Sequence, residues 1–168
     1  METSIRPLES AGISEIAEAF AEIGWNKPAS QYELYLRDQT LRIRDMYVAY
    51  VNGQFSGYVT VCWKSTYGPF HEHNIPEIMD FNVLPKFRRM GIGTQLMDRA
   101  EHELAKVSPI AGIGVGMTPA YGAAQRLYVL RGYVPDGRGL NYMGHFIKYG
   151  EELTADDNLV LYLTKELK

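Results

Sequence analysis

The segment Val83-Leu84-Pro85-Lys86-Phe87-Arg88-Arg89-Met90-Gly91-Ile92-Gly93-Thr94 puts two glycines and two arginines where a β-rich stretch passes into an amphipathic helix. That combination binds anions. The first N–H groups of a helix lack intrahelical acceptors and the macrodipole is positive there, so a phosphate is held without a protein counter-charge. Gly91 and Gly93 keep Cβ atoms out of the way and permit positive φ, and Arg88 and Arg89 can add charge-assisted contacts. The segment is not a Walker loop, because Gly93 is followed by Thr94-Gln95. It is also a poor dinucleotide fingerprint, lacking the third small residue and the acidic residue near the end of the next strand. Two other groups invite chemistry and are given none. Cys62 lies among Val59, Val61 and Trp63, an apolar strand setting in which a thiol packs rather than reacts. His71-Glu72-His73 offers two histidines, too few for a metal site, and no metal is expected.

The elements that must position this loop follow from periodicity. Ser4 to Leu8 reads as a strand, and Ile13, Ile16, Ala17, Phe20 and Ile23 recur at helical spacing. After Pro28, Ser30-Gln31-Tyr32-Glu33 has the form of a capping box opening a second helix to about Leu41. Ile43 to Val51 and Gln54 to Trp63 are strands joined at Asn52-Gly53, the pair that a tight hairpin prefers. A polar loop from Lys64 to Asn74 leads to a strand at about Glu77 to Val83. The helix after the anion loop carries Ile92, Leu96, Met97, Ala100 and Leu104 on one stripe. A strand near Ile110 to Met117, a helix near Ala120 to Arg131, a short strand at Tyr133-Val134 and a last strand at Leu159 to Thr164 complete the chain. Pro135 to Asn158 reads as one long loop. The order, β-α-α-β-β-β-α-β-α-β-β, predicts a mixed α/β sheet with helices on its faces.

The 168 residues fit one domain, and 46% hydrophobic with 22% charged residues is ordinary globular usage. A net charge of −3 argues against nonspecific nucleic-acid binding, although Lys86, Arg88 and Arg89 make one basic loop. A single cysteine and no long uncharged apolar run point to a soluble protein of a reducing, cytoplasmic compartment, without membrane partners.

Arg88-Arg89-Met90-Gly91-Ile92-Gly93 matches Gln/Arg-x-x-Gly-x-Gly/Ala, and Ala124-x-x-Leu127-Tyr128-x-x-x-Gly132-Tyr133 matches Ala-x-x-Leu-Tyr-x-x-x-Gly-Phe in the correct order after it. With both motifs in register, the chain resembles the GNAT superfamily of acetyl-CoA-dependent N-acetyltransferases over nearly its whole length. The resemblance implies a single domain over 1–168 with a mixed, mostly antiparallel sheet. It would have about six to seven strands and four helices, splayed between the fourth and fifth strands to admit acetyl-CoA. It implies that Arg88, Arg89, Met90, Gly91, Ile92, Gly93 and Thr94 cradle the pyrophosphate, and that main-chain groups of Phe81, Asn82 and Val83 pair with the pantetheine amides. The N–H near Val83 would polarise the thioester carbonyl. One position departs: Tyr121 stands where the family often has Asn.

The implied reaction is acetyl transfer to a primary amine by direct attack in a ternary complex. The alternative is a catalytically silent acyl-CoA-binding or interaction module. Transfer needs an unprotonated amine and a proton for the departing thiolate. Tyr128 resembles the family's general acid near the coenzyme sulfur. Glu77 precedes Arg88 by the same eleven residues as the base glutamate of the histone-acetyltransferase branch; Asp80 and Glu72 are alternatives. The partner is a small-molecule or peptide amine that the sequence does not identify. Many relatives dimerise, so a homodimer is within expectation. The 12 tyrosines include Tyr47, Tyr50, Tyr58 and Tyr67, read mostly as strand packing.

Overall fold

The computed structural model describes residues 2–167. Eight strands form one sheet: β1 (Thr3–Pro7), β2 (Arg44–Val51), β3 (Gln54–Cys62), β4 (Glu77–Val83), β5 (Ile110–Gly116), β6 (Val134–Tyr142), β7 (His145–Phe146) and β8 (Leu159–Glu166). Their spatial order is β1-β2-β3-β4-β5-β8-β6-β7. Five helices accompany them: α1 (Ile13–Glu22), α2 (Ala29–Thr40), α3 (Gly68–Glu72), α4 (Ile92–Ala105) and α5 (Gly122–Leu130). The counts exceed the expected six to seven strands and four helices by short elements, and the architecture is otherwise the expected one.

All pairings are antiparallel except β4 with β5, which is parallel and confined to Glu77 opposite Gly112 and Ile78 opposite Ile113. From Met79 onward the two strands part, opening the sheet between its fourth and fifth strands. A β-bulge in β4 adds to the divergence: Thr60 faces Met79 and Tyr58 faces Asn82, so Asp80 and Phe81 together oppose one residue of β3.

Local chemistry explains the hairpins and caps. Asn52 and Gly53 take φ of 48° and 79° and turn β2 into β3. Gly132 takes φ of 90° after α5, the left-handed cap a helix end prefers. The α4 stripe of Ile92, Leu96, Met97, Ala100 and Leu104 is buried in full. Ile13, Ile16 and Phe20 bury the face of α1, whereas Ile23, the last residue of that predicted stripe, lies beyond the helix and is exposed.

Three expectations are corrected. Ser30-Gln31-Tyr32-Glu33 is not a capping box: α2 starts at Ala29 with Pro28 at the N-cap, so Ser30 is already helical and no side chain caps the end. Lys64 to Asn74 contains the one-turn helix α3 rather than being loop throughout. Pro135 to Asn158 is not one loop. Pairing with β8 runs from Val134 to Pro135, resumes at Leu140 after a wide bulge holding Gly137 and Gly139, and turns at Met143-Gly144 into β7. Pro135 and the bulge glycines hid the strand, because each is locally a turn residue. The irregular remainder is residues 147–158.

Candidate active site

The anion loop is built as its sequence requires. A 3-10 turn at Pro85–Phe87 anchors Phe87 in the core, then Arg89 and Gly91 take φ of 59° and 80°, with Gly91 the N-cap of α4. Among the described residues no protein acceptor engages the N–H groups of Arg89, Met90, Gly91, Ile92, Gly93 or Thr94. The first engaged amide is Gln95, which donates to Gly91 O at 3.1 Å. Six consecutive amides without such a bond at the positive end of a fourteen-residue helix are an arrangement that can accept an oxyanion. The two glycines differ in role. Gly91 supplies the left-handed turn, while Gly93 supplies space for Phe81, since a Cβ there would lie 3.2 Å from the ring's Cζ. The sequence reading gave the missing Cβ of Gly93 to the anion; the structure gives it to helix–strand packing.

Phe81, Asn82 and Val83 lie on the divergent part of β4, where the side toward β5 has no strand partner. Arg88 folds back, its Nε donating to Val83 O at 3.2 Å and its guanidinium lying 6.0 Å from the Trp25 ring. Lys86 and Arg89 remain exposed. Free amides, an unpaired strand edge and cationic side chains are a donor set that fits a diphosphate carried on a chain of amides.

Tyr128 is 5% exposed in α5, and among the described residues its hydroxyl has no hydrogen-bond partner. Burial, with Tyr121 nearby, pushes its phenol above the ordinary value, so it holds its proton throughout the physiological range. Glu77 opens β4 where that strand is still paired on both sides and is 4% exposed. Burial pushes its carboxyl up to about 7, against opposing pulls from Ser65 and Arg44. Ser65 Oγ donates to Glu77 Oε2 at 2.5 Å and accepts from Tyr67 N–H at 3.0 Å.

The sequence matches the Acetyltransferase (GNAT) family over residues 11–133. The chain belongs to the GNAT acetyltransferase family. An uncharacterized N-acetyltransferase of Archaeoglobus fulgidus is 36% identical over 72 residues, 42% of this chain and 48% of that protein, so the match spans about half the relative's length. An N-acetyltransferase from Staphylococcus aureus Mu50 superposes with a TM-score of 0.73 at 19% identity over all of both chains. The protein yncA from Salmonella typhimurium, solved with its cofactor acetyl-CoA, superposes with a TM-score of 0.69 at 18% identity, covering 99% of this chain and 94% of its own. The fold is that of GNAT acetyltransferases, a family whose acyl donor is acetyl-CoA.

Within this GNAT domain the other two candidate carboxylates have different settings. Glu72 is exposed at the end of α3. Asp80 is saturated: Lys27 Nζ at 2.8 Å, Gln31 Nε2 at 3.0 Å, Tyr35 OH at 2.9 Å, Tyr58 OH at 2.6 Å and Asn82 Nδ2 at 2.8 Å all donate to it. Burial works to raise its carboxyl, but Lys27 and the hydroxyl donors outweigh burial and hold it below the usual carboxylate value. It ties α2 and the segment before it to the bulge of β4. His71 uses Nδ1 on Ser65 O at 3.0 Å.

Sequence reasoning missed the other side of the opening. Gly112, Gly114 and Gly116 share one face of β5, and Cβ atoms there would collide with Phe70, with Val160 and Tyr162, and with Tyr121 respectively. The alternating glycines leave room for the side chains of Phe70, Tyr162 and Tyr121 against the strand, and Gly-x-Gly-x-Gly within a strand was the available signal. Tyr67, read as packing, stacks on Tyr162 with centroids 3.6 Å apart and faces a cleft.

Proposed function

We propose that this protein transfers acetyl from acetyl-CoA to a primary amine by direct attack in a ternary complex. The observation that carries the reading is the run of six unengaged amides from Arg89 to Thr94 beside the parted strands β4 and β5. Those amides bind the diphosphate, with Arg88 and Arg89 adding charge, and the free edge of β4 from Phe81 to Val83 aligns the pantetheine arm as a substitute strand. Acetyl-CoA, when bound, supplies a thioester whose acyl carbon the amine attacks and whose thiol departs. The N–H near Val83 polarises the carbonyl oxygen.

Glu77 takes one proton from the substrate ammonium and so frees the nitrogen lone pair for attack. A carboxyl pushed up to about 7 is ionised often enough to accept it at neutral pH and basic enough to do so readily. Its burial routes the proton through Ser65, which donates to it and precedes Thr66 on the border of the cleft. Tyr128 gives its phenolic proton to the leaving sulfur, the acylated nitrogen passes its remaining extra proton to the phenolate directly or through solvent, and Glu77 releases its proton to solvent, so no net charge accumulates.

The test is titration of acetyl-CoA, followed by free-thiol release against a panel of primary amines. Binding that is lost when Gly91 and Gly93 are both replaced by Val, together with thiol release for at least one amine class, is the expected result. Full affinity in that double variant overturns the assignment of the loop. The burial of Glu77 favours one second reading, an acyl-CoA-binding module without transfer. Tight cofactor binding with no thiol released by any amine class would establish it.

A further inference from the structure

A cleft of about 440 Å³ lies between α3, the β6–β7 turn and β8. One wall is aromatic: Tyr67 stacks on Tyr162, and Phe146 meets Tyr67 edge-on with centroids 6.1 Å apart. Val160 and Tyr162 on its floor pair with Gly116 and Gly114, the part of β5 that has left β4, so the cleft flanks the opening in the sheet. Both residues assigned to proton transfer connect to its lining. Glu77 accepts from Ser65 Oγ, which accepts from the N–H of Tyr67, and Tyr121, at the start of the helix that carries Tyr128, donates its hydroxyl to Asp157 at 3.0 Å.

Asn141 borders this cleft and is 3% exposed. Its Oδ1 accepts from Gly144 N–H at 2.9 Å, which fixes the amide orientation and leaves Nδ2 without a partner. A buried donor left unpaired costs about 1–3 kcal/mol, which a ligand supplying an acceptor recovers. Among the described residues the lining carries the carboxylate of Asp157 and no lysine, arginine or histidine. That balance attracts a cation and repels an anion, and the aromatic wall suits an apolar body beside a positive charge.

We infer that this cleft is the acceptor pocket and that Asn141 selects primary amines whose apolar or aromatic body carries one uncharged hydrogen-bond acceptor. The inference rests on the acyl-transfer reading. Three probes test it: phenethylamine, which lacks an acceptor, phenylalaninamide, which has a neutral carbonyl, and phenylalanine, which has a carboxylate. In the unaltered protein kcat/KM should rank phenylalaninamide above phenylalanine. The ratio of phenylalaninamide to phenethylamine should fall about tenfold in Asn141→Asp, which keeps the acceptor for Gly144 N–H and removes the free donor. Comparing ratios between proteins cancels the different basicities of the amines, and taking each ratio within one sample cancels any loss of folded fraction. An unchanged ratio, or preference for phenylalanine, overturns the inference. Calorimetric titration of the same probes into the unaltered protein holding coenzyme A reads the pocket without turnover or a variant. Thiol release that is insensitive to Asn141 defeats the pocket assignment alone. Tighter binding of phenylalaninamide than of phenylalanine, with no thiol release from any amine, defeats the transfer reading alone.

Discussion

On the proposed mechanism, Glu77 is the single side chain that sets the behaviour of the protein with pH. Its carboxyl titrates near 7 when folded and near 4.5 when free, so between those values the folded protein holds a proton that the unfolded chain has released. Stability therefore falls as pH rises through that window, and the cost, at most roughly 3 kcal/mol, is complete above pH 7. Activity moves the other way, since only the carboxylate accepts a proton. We expect kcat/KM to rise through an apparent pKa near 7, and Glu77→Gln to lose that limb and about 100-fold or more in rate. Denaturant unfolding should find Glu77→Gln more stable than the parent at pH 8, with the difference shrinking toward pH 4.5. A difference constant with pH would contradict the raised carboxyl. Tyr128→Phe should keep acetyl-CoA affinity and lose about 100-fold in turnover, measured by calorimetry and thiol release; unchanged turnover would remove Tyr128 from the mechanism. The sequence exposed these two residues through spacing and motif. It could not expose Ser65 on Glu77, or the cleft that Asn141 borders, because those arrangements join positions far apart along the chain.

Elements were legible where one periodicity acted alone. The α4 stripe, the Asn52-Gly53 hairpin and the Gly132 cap each follow from local rules, and each stands in the structure. They were illegible where tertiary pairing overrode local preference: β6 continues through Pro135 and a glycine bulge because β8 offers it a partner. The glycines of β5 belong to the same category, since their purpose is a neighbour's ring. Two substitutions of equal chemistry should therefore have opposite signs. Gly114→Ala places a Cβ 2.9 Å from Val160 Cγ1 and 3.0 Å from Tyr162 Cε1, and should cost about 1–3 kcal/mol by overpacking. Gly122→Ala, in the first turn of α5 with open space around it, should stabilise by a few tenths to about 1 kcal/mol. Urea unfolding of the two variants checks both, and equal signs would refute the account of the β5 face. Gly114→Ala should also raise KM for the amine, because Tyr162 forms part of the cleft.

Across the whole molecule, charge is divided against itself. The chain carries a formal −3, yet the loop meant for a polyanion gathers Lys86, Arg88 and Arg89, all exposed. A coenzyme A thioester approaches a protein of like net sign and must be drawn to one local field, which the helix dipole of α4 extends. Two kinds of attraction then act on the bound diphosphate and differ in their response to salt. Hydrogen bonds from the backbone amides would act at short range, whereas the arginine and lysine charges are exposed and screened over about 10 Å at 0.1 M ionic strength. Raising salt from roughly 0.05 M to 0.5 M, a range over which the screening length shrinks severalfold, should weaken acetyl-CoA binding by severalfold without abolishing it. Replacing Arg88 and Arg89 together by Gln should weaken binding at low salt and flatten the salt dependence, so that the two proteins converge at high salt. Calorimetric titrations across that range measure both slopes. Parallel slopes would mean that the arginines contribute nothing to the approach, and a complete loss of binding at high salt would mean that the amides alone do not hold the anion.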